Sequence, residues 1–82
     1  MEDHKVKAVV VESGCAKYRA GDEIVFDGAF LDKEKSGNLC MVALNAIYPF
    51  AYAARRGGSI KEGLIQCPDC AECVKFRIER LD

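Results

Sequence analysis

Histidine is nearly missing from this 82-residue chain: His4 is the only one, and it sits close to the N-terminal end. A single histidine in so exposed a place excludes a Ser/His/Asp catalytic set and makes a poor metal ligand. Charge of one sign is missing as well. Twelve basic residues face thirteen acidic ones, for a net charge of −1. The basic residues are scattered, so the chain lacks the electrostatic footprint of a nucleic-acid binder. No glycine-rich loop precedes a helix to cradle phosphate, because Gly57-Gly58 follows one. The opening Met1-Glu2-Asp3-His4-Lys5 is polar and does not read as a signal peptide, which sets a cytoplasmic expectation. No apolar run is long enough for a comfortable membrane span. Internal repeats and low-complexity tracts are absent too.

What is present is cysteine. Three of five cysteines lie within Cys67-Pro68-Asp69-Cys70-Ala71-Glu72-Cys73, and Cys15 and Cys40 stand apart. Five is odd, so complete internal pairing is impossible, and in a reducing compartment free thiols or a bound metal are expected over a disulfide frame. Cys67 and Cys70 have the spacing by which one tight turn aims two sulfurs at a tetrahedral metal. Cys73 adds a third sulfur, and Cys40 or Cys15 would supply the fourth. The same run opens the bacterial ferredoxin pattern but lacks its closing cysteine-proline, so an iron–sulfur cluster needs Cys40 or Cys15 as its distant ligand. A redox dithiol normally opens a helix, and this one leads into a strand. Cysteine also packs as a small buried apolar residue, which is the plain alternative at every position.

Hydrophobic residues make up 50% and charged residues 30%, the balance of a folded domain, and the length suits a single domain over 1–82. Val6 to Val11 reads as a buried strand. Gly21-Asp22 turns into a second strand, Glu23 to Phe26, which Asp27-Gly28 closes. Asp32 to Gly37 reads as a polar, flexible loop. From Leu39 to Ala54 almost every residue is apolar. This is a helix capped by Asn38, ended by Gly57-Gly58 and kinked at Pro49. It is expected to be buried on most sides or to pack on another subunit. With Asn38 as cap, Cys40 falls in the first turn, where the dipole stabilises a thiolate. A short strand over Leu64 to Gln66 leads to the cysteine cluster. Val74 to Leu81 alternates as the last strand, with Val74, Phe76 and Ile78 inward. The expected fold is α+β: a small antiparallel sheet in the order β-β-α-β-β against one kinked central helix.

Asn45, Tyr48, Tyr52 and Arg55 share one helical stripe. They read either as the wall of a polar pocket, with Arg55 pairing a small anionic ligand, or as an amphipathic edge with its hydroxyls in solvent.

Taken in order, Cys15…Gly21-Asp22, Cys40 with Ala43-Leu44, Tyr48-Pro49, Arg55 with Gly57-Gly58, and Cys67-Pro68-Asp69 with Phe76, Ile78 and Arg80 form a pattern over nearly the whole chain. It resembles a family of small uncharacterised bacterial and archaeal proteins common in anaerobes. The resemblance implies that Cys15, Cys40 and Cys67 are the family's cysteines and that Cys70 and Cys73 are particular to this member. It shifts weight toward a site built from Cys15, Cys40 and Cys67, in a setting where oxygen-sensitive thiolates survive. It brings no activity.

The leading expectation is a cysteine-rich accessory domain that binds zinc or an iron–sulfur cluster through Cys15, Cys40, Cys67, Cys70 and Cys73. The alternatives are a homo-oligomeric interaction module, a small-ligand-binding module with structural cysteines, and a thiol redox protein. A homo-oligomer is expected as partner, because the apolar helix carries more hydrophobic surface than a thin sheet covers.

Overall fold

The computed structural model describes residues 3–14, 16–58, 63–67 and 74–81. Within them the chain is an α+β fold. One five-stranded antiparallel sheet is covered on one face by a single helix. The elements are β1 (Val6–Ser13), β2 (Glu23–Asp27), β3 (Phe30–Leu31), α1 (Met41–Arg55), β4 (Ile65–Gln66) and β5 (Val74–Arg80). Across the sheet the order is β3-β2-β1-β5-β4, so the first and last long strands pair at the centre.

Alternation explains which face meets the helix. Val6, Ala8 and Val10 of β1 are buried, as are Val74, Phe76 and Ile78 of β5, the last three as expected from their period of two. The register slips between Val10 and Glu12, where a bulge leaves Val11 38% exposed. β1 is therefore a two-faced strand that runs on to Ser13, not a fully buried one ending at Val11. Its outward Lys7 pairs with Glu23 of β2 at 2.9 Å.

The strand expected to end at Asp27-Gly28 turns there into β3, a strand the alternation pattern missed. Asp27 pairs with Phe30 across the two-residue loop Gly28-Ala29. Only Gly28 has a positive φ (61°), the arrangement of a type II′ hairpin turn. The polar segment that follows is not a free loop. Asp32 N–H donates to the Val25 carbonyl, Gly37 N–H to the Glu23 carbonyl, and Val25 N–H to Ser36 Oγ, each at 2.9 Å.

The helix begins two residues later than expected. Cys40, not Asn38, is the N-cap residue, and its side chain makes no capping bond. Asn38 is drawn elsewhere, its side-chain amide donating to the Lys17 carbonyl at 2.8 Å. α1 continues through Pro49, which has no N–H to offer the Asn45 carbonyl. Its C-terminus closes as expected. Gly57 adopts φ 81°, Gly57 N–H donates to the Ala54 carbonyl, and Gly58 N–H to the Ala53 carbonyl at 2.8 Å, which is a Schellman motif. His4 N–H and the Arg80 guanidinium take further carbonyls at this end, from Arg55 and from Ala54 and Gly58.

Only Ala43, Ile47, Ala51 and Ala54 of α1 are buried. These four share one side of the helix and sit on β1 and β5. Small alanines let the helix lie close to the sheet, but they leave its opposite side open. The helix is thus buried along one stripe and not on most sides. None of the helices formed by the described residues is long and apolar enough to cross a membrane.

Candidate functional site

Two of the five cysteines lie among the described residues, and both pack on the one hydrophobic core. Cys67 directly follows β4 and is 5% exposed. Its N–H donates to the Val74 carbonyl at 2.8 Å, which extends the β4–β5 ladder by one step. Ile65 pairs with Phe76, so Cys67 shares the helix-facing side with Ile65, Val74 and Phe76. Cys40 stands at the start of α1, half-buried and packed against the same core.

Tyr18 holds the Cys40 backbone and packs on β5. It comes from the turn-rich segment between β1 and β2 and is 4% exposed. Its ring meets Phe76 edge-on, centroids 5.6 Å apart. Its hydroxyl accepts the Cys40 N–H at 2.8 Å. One buried tyrosine thus ties the Cys40 backbone to the strand that pairs with Cys67. With the Asn38–Lys17 bond it clamps the 16–20 segment against the 38–40 segment. Between them lies a hollow of about 330 Å³ lined by Lys17, Tyr18, Asn38, Leu39 and Cys40.

Sequence reasoning left Tyr18 in an irregular connection. The available signal was an aromatic residue in an otherwise polar, small-residue stretch, Ala16-Lys17-Tyr18-Arg19-Ala20. Such a residue is rarely left in solvent when a core lies nearby.

Cys15, Cys70 and Cys73 lie outside the described residues. Among the described residues no three His, Cys, Asp or Glu side chains gather in a way that would hold a metal ion. The donor set in view is therefore two soft sulfurs. In sequence, Cys15 falls between Ser13, the register partner of Val74, and Tyr18. Cys70 and Cys73 fall in the connection whose ends, Cys67 and Val74, are joined by the 2.8 Å hydrogen bond.

The second expected constellation runs along one side of α1, with the Tyr48 and Tyr52 ring centres 6.4 Å apart. Asn45, Tyr48 and Tyr52 are exposed along the outer side of α1. Arg55 is engaged: its Nε donates to Asp3 Oδ1 at 2.7 Å, and its side chain is 15% exposed. That hydrogen bond lowers the Asp3 carboxyl below its ordinary 3.8 and raises Arg55. Arg55 also lies 6.0 Å from the centre of the Tyr52 ring. Asn45 and Tyr48, with Met41 and Leu44, line a second hollow of about 270 Å³. Its walls are mostly apolar and carry no charge, which is poor chemistry for an anion.

No family model, curated protein or solved structure matches the chain.

Proposed function

We propose that this chain is a small domain that holds a metal, zinc or an iron–sulfur cluster, through cysteine thiolates at the Tyr18 corner of the sheet. The observation that supports this reading is that Cys40 and Cys67, from a helix start and a strand end far apart in sequence, both pack on the one core that contains Tyr18 and Phe76. Tyr18 holds the Cys40 backbone, and Cys67 is hydrogen-bonded to the strand that carries Phe76. The other donors in this reading are Cys15, three positions before Tyr18, and Cys70 and Cys73, between Cys67 and Val74. Thiolates suit zinc and iron–sulfur clusters above harder cations. Bound there, the metal would stitch the 14–20 segment, the helix start and the β4–β5 end together, and its binding energy would add to folding energy.

Elemental analysis and a visible spectrum of anaerobically purified protein test this. The expected result is about one equivalent of zinc, or iron with cluster absorbance, with Cys67→Ala losing most of it. Less than about a tenth of an equivalent in the unaltered chain overturns the reading, on the stoichiometry a thiolate site requires.

A further inference from the structure

Charge is unevenly spread over this molecule. Lys7, Glu23, Lys75, Arg77 and Glu79 form ion pairs on the sheet side away from the helix or along its rim. Residues 39–54, by contrast, carry no charged side chain. The outer side of α1 presents Met41, Val42, Asn45, Tyr48, Pro49 and Tyr52, all exposed. They lie away from the stripe of Ala43, Ile47, Ala51 and Ala54 that packs on the sheet, with Tyr48 at the border, one edge of its ring against Phe26 of β2 with centroids 6.2 Å apart. Met41 is 70% exposed, Val42 42%, Tyr48 39% and Tyr52 45%.

We propose that this face is a self-association surface, and that it pairs with the same face of a second copy, the two helices antiparallel about a two-fold axis. Three observations choose that occupant. The first is spacing. Met41, Asn45, Tyr48 and Tyr52 follow the 4-3-4 interval of a helix–helix seam. Reversed on itself, that interval sets Met41 against Tyr52 of the other copy and Asn45 against Tyr48. The first pair is a favourable sulfur–aromatic contact, and the second pairs an amide with a phenol hydroxyl. The 270 Å³ hollow lined by Met41, Leu44, Asn45 and Tyr48 lies beside the axis on its N-terminal side, where that register brings the Tyr48 ring of the other copy.

The second observation is charge. Basic residues flank only the C-terminal end of α1, as Arg55 and Arg56. A parallel pair would bring four guanidinium groups together. An antiparallel pair in this register keeps them about 27 Å apart, roughly eighteen residues at 1.5 Å each, and opposes the helix dipoles. The third is area. With large side chains presenting about 150–250 Å² when fully open, the exposures of Met41, Val42, Tyr48 and Tyr52 amount to roughly 400 Å² per copy. Two copies would bury about 800 Å², the size of a weak, transient pair and not of a permanent one. The dimer proposed is accordingly one that dissociates in the micromolar range.

Sedimentation equilibrium on the full chain in excess reductant, from about 1 to 300 μM, brackets that range. The expected result is a monomer–dimer equilibrium. Tyr48→Lys places two like charges beside the axis and should raise the dissociation constant roughly 100-fold. Phe30→Lys, 78% exposed on β3 and off the helix, should leave it unchanged. Asn45→Lys is read alongside Tyr48→Lys, because Asn45 is polar and exposed and its replacement spares the core. The proposal is overturned by a monomer throughout the range, which leaves the face to some other occupant, or by a trimer. It is equally overturned by a dimer that both lysine variants leave as tight as before.

Discussion

Tyr18 does two separable jobs. Its ring fills space against Phe76, and its hydroxyl holds the amide at the head of the helix. Removing only the hydroxyl leaves the Cys40 N–H half-buried without that acceptor, a loss of about 1 kcal/mol by the usual net value of one hydrogen bond. Removing the ring as well empties a site that is 4% exposed, which by large-to-small core substitutions costs about 3–5 kcal/mol. Urea unfolding of Tyr18→Phe and Tyr18→Ala separates the two, and equal losses would mean the hydroxyl, not the packing, orders this corner. A second residue-scale prediction concerns pH. Asp3 is held below its ordinary 3.8 first by the hydrogen bond from Arg55, so the folded chain binds its carboxylate proton less readily than the unfolded one. The stabilisation is complete above the unfolded value and fades as pH falls through the lower folded value. The pair is exposed to solvent, so the effect on stability is slight. An NMR titration of the Asp3 carboxyl should give a midpoint below 3.8 that returns to the ordinary value in Arg55→Gln.

At the scale of elements, the helix shows a cost accepted at one position. Pro49 sits inside α1, on its exposed side, and denies the Asn45 carbonyl its donor. An interior proline costs about 3 kcal/mol relative to alanine in an exposed helix. Surrounding contacts absorb part of that, so Pro49→Ala should stabilise the fold by about 1–3 kcal/mol. On a domain of this length that raises the melting temperature by about 4–8 °C per kcal/mol. A scanning calorimetry trace with no rise would mean that Pro49 packs more usefully than its position suggests. Local pattern accounts for much of the architecture. Alternation in Val74–Arg80 and the double glycine after Arg56 mark features of backbone and periodicity that a few adjacent residues determine, whereas β2 buries Ile24, Val25 and Phe26 in a row. What was not legible depended on distant partners. Asn38 has the chemistry of a cap, yet Lys17 takes its amide, and Cys40 becomes the N-cap without a capping side chain. β3 is two residues long and leaves Phe30 78% exposed, so neither length nor alternation could announce it. The anchoring of Cys40 at the helix start depends on a tyrosine 22 residues from its hydrogen-bond partner, which no local window contains.

As a whole molecule, the chain has a thin core for the number of segments it must hold. One side of the sheet carries the helix, and much of the other carries exposed ion pairs, each worth little in water. Burial therefore rests on one cluster around Phe76, Ile24, Ile47, Val6, Val10 and Val74. Domains of this size often add a staple to such a core. A thiolate-bound metal at the Tyr18 corner would be one, because it binds the folded chain and the unfolded chain has no preformed site. By mass action, a ligand at a thousand times its dissociation constant adds about 4 kcal/mol. For a domain of this length that corresponds to a melting temperature higher by roughly 15–30 °C. Calorimetry on protein stripped with a chelator, then reloaded anaerobically with zinc or reconstituted with iron and sulfide, should show the loss and its recovery. Cys67→Ala should abolish the recovery, whereas Phe30→Ala on the opposite edge of the sheet should retain it. If stripped and loaded protein melt within about 2 °C of each other, less than the shift expected from 1 kcal/mol, the fold does not depend on the metal. The Tyr18 corner must then be held by the protein's own contacts, the Tyr18–Phe76 edge and the Cys40–Tyr18 hydrogen bond among them.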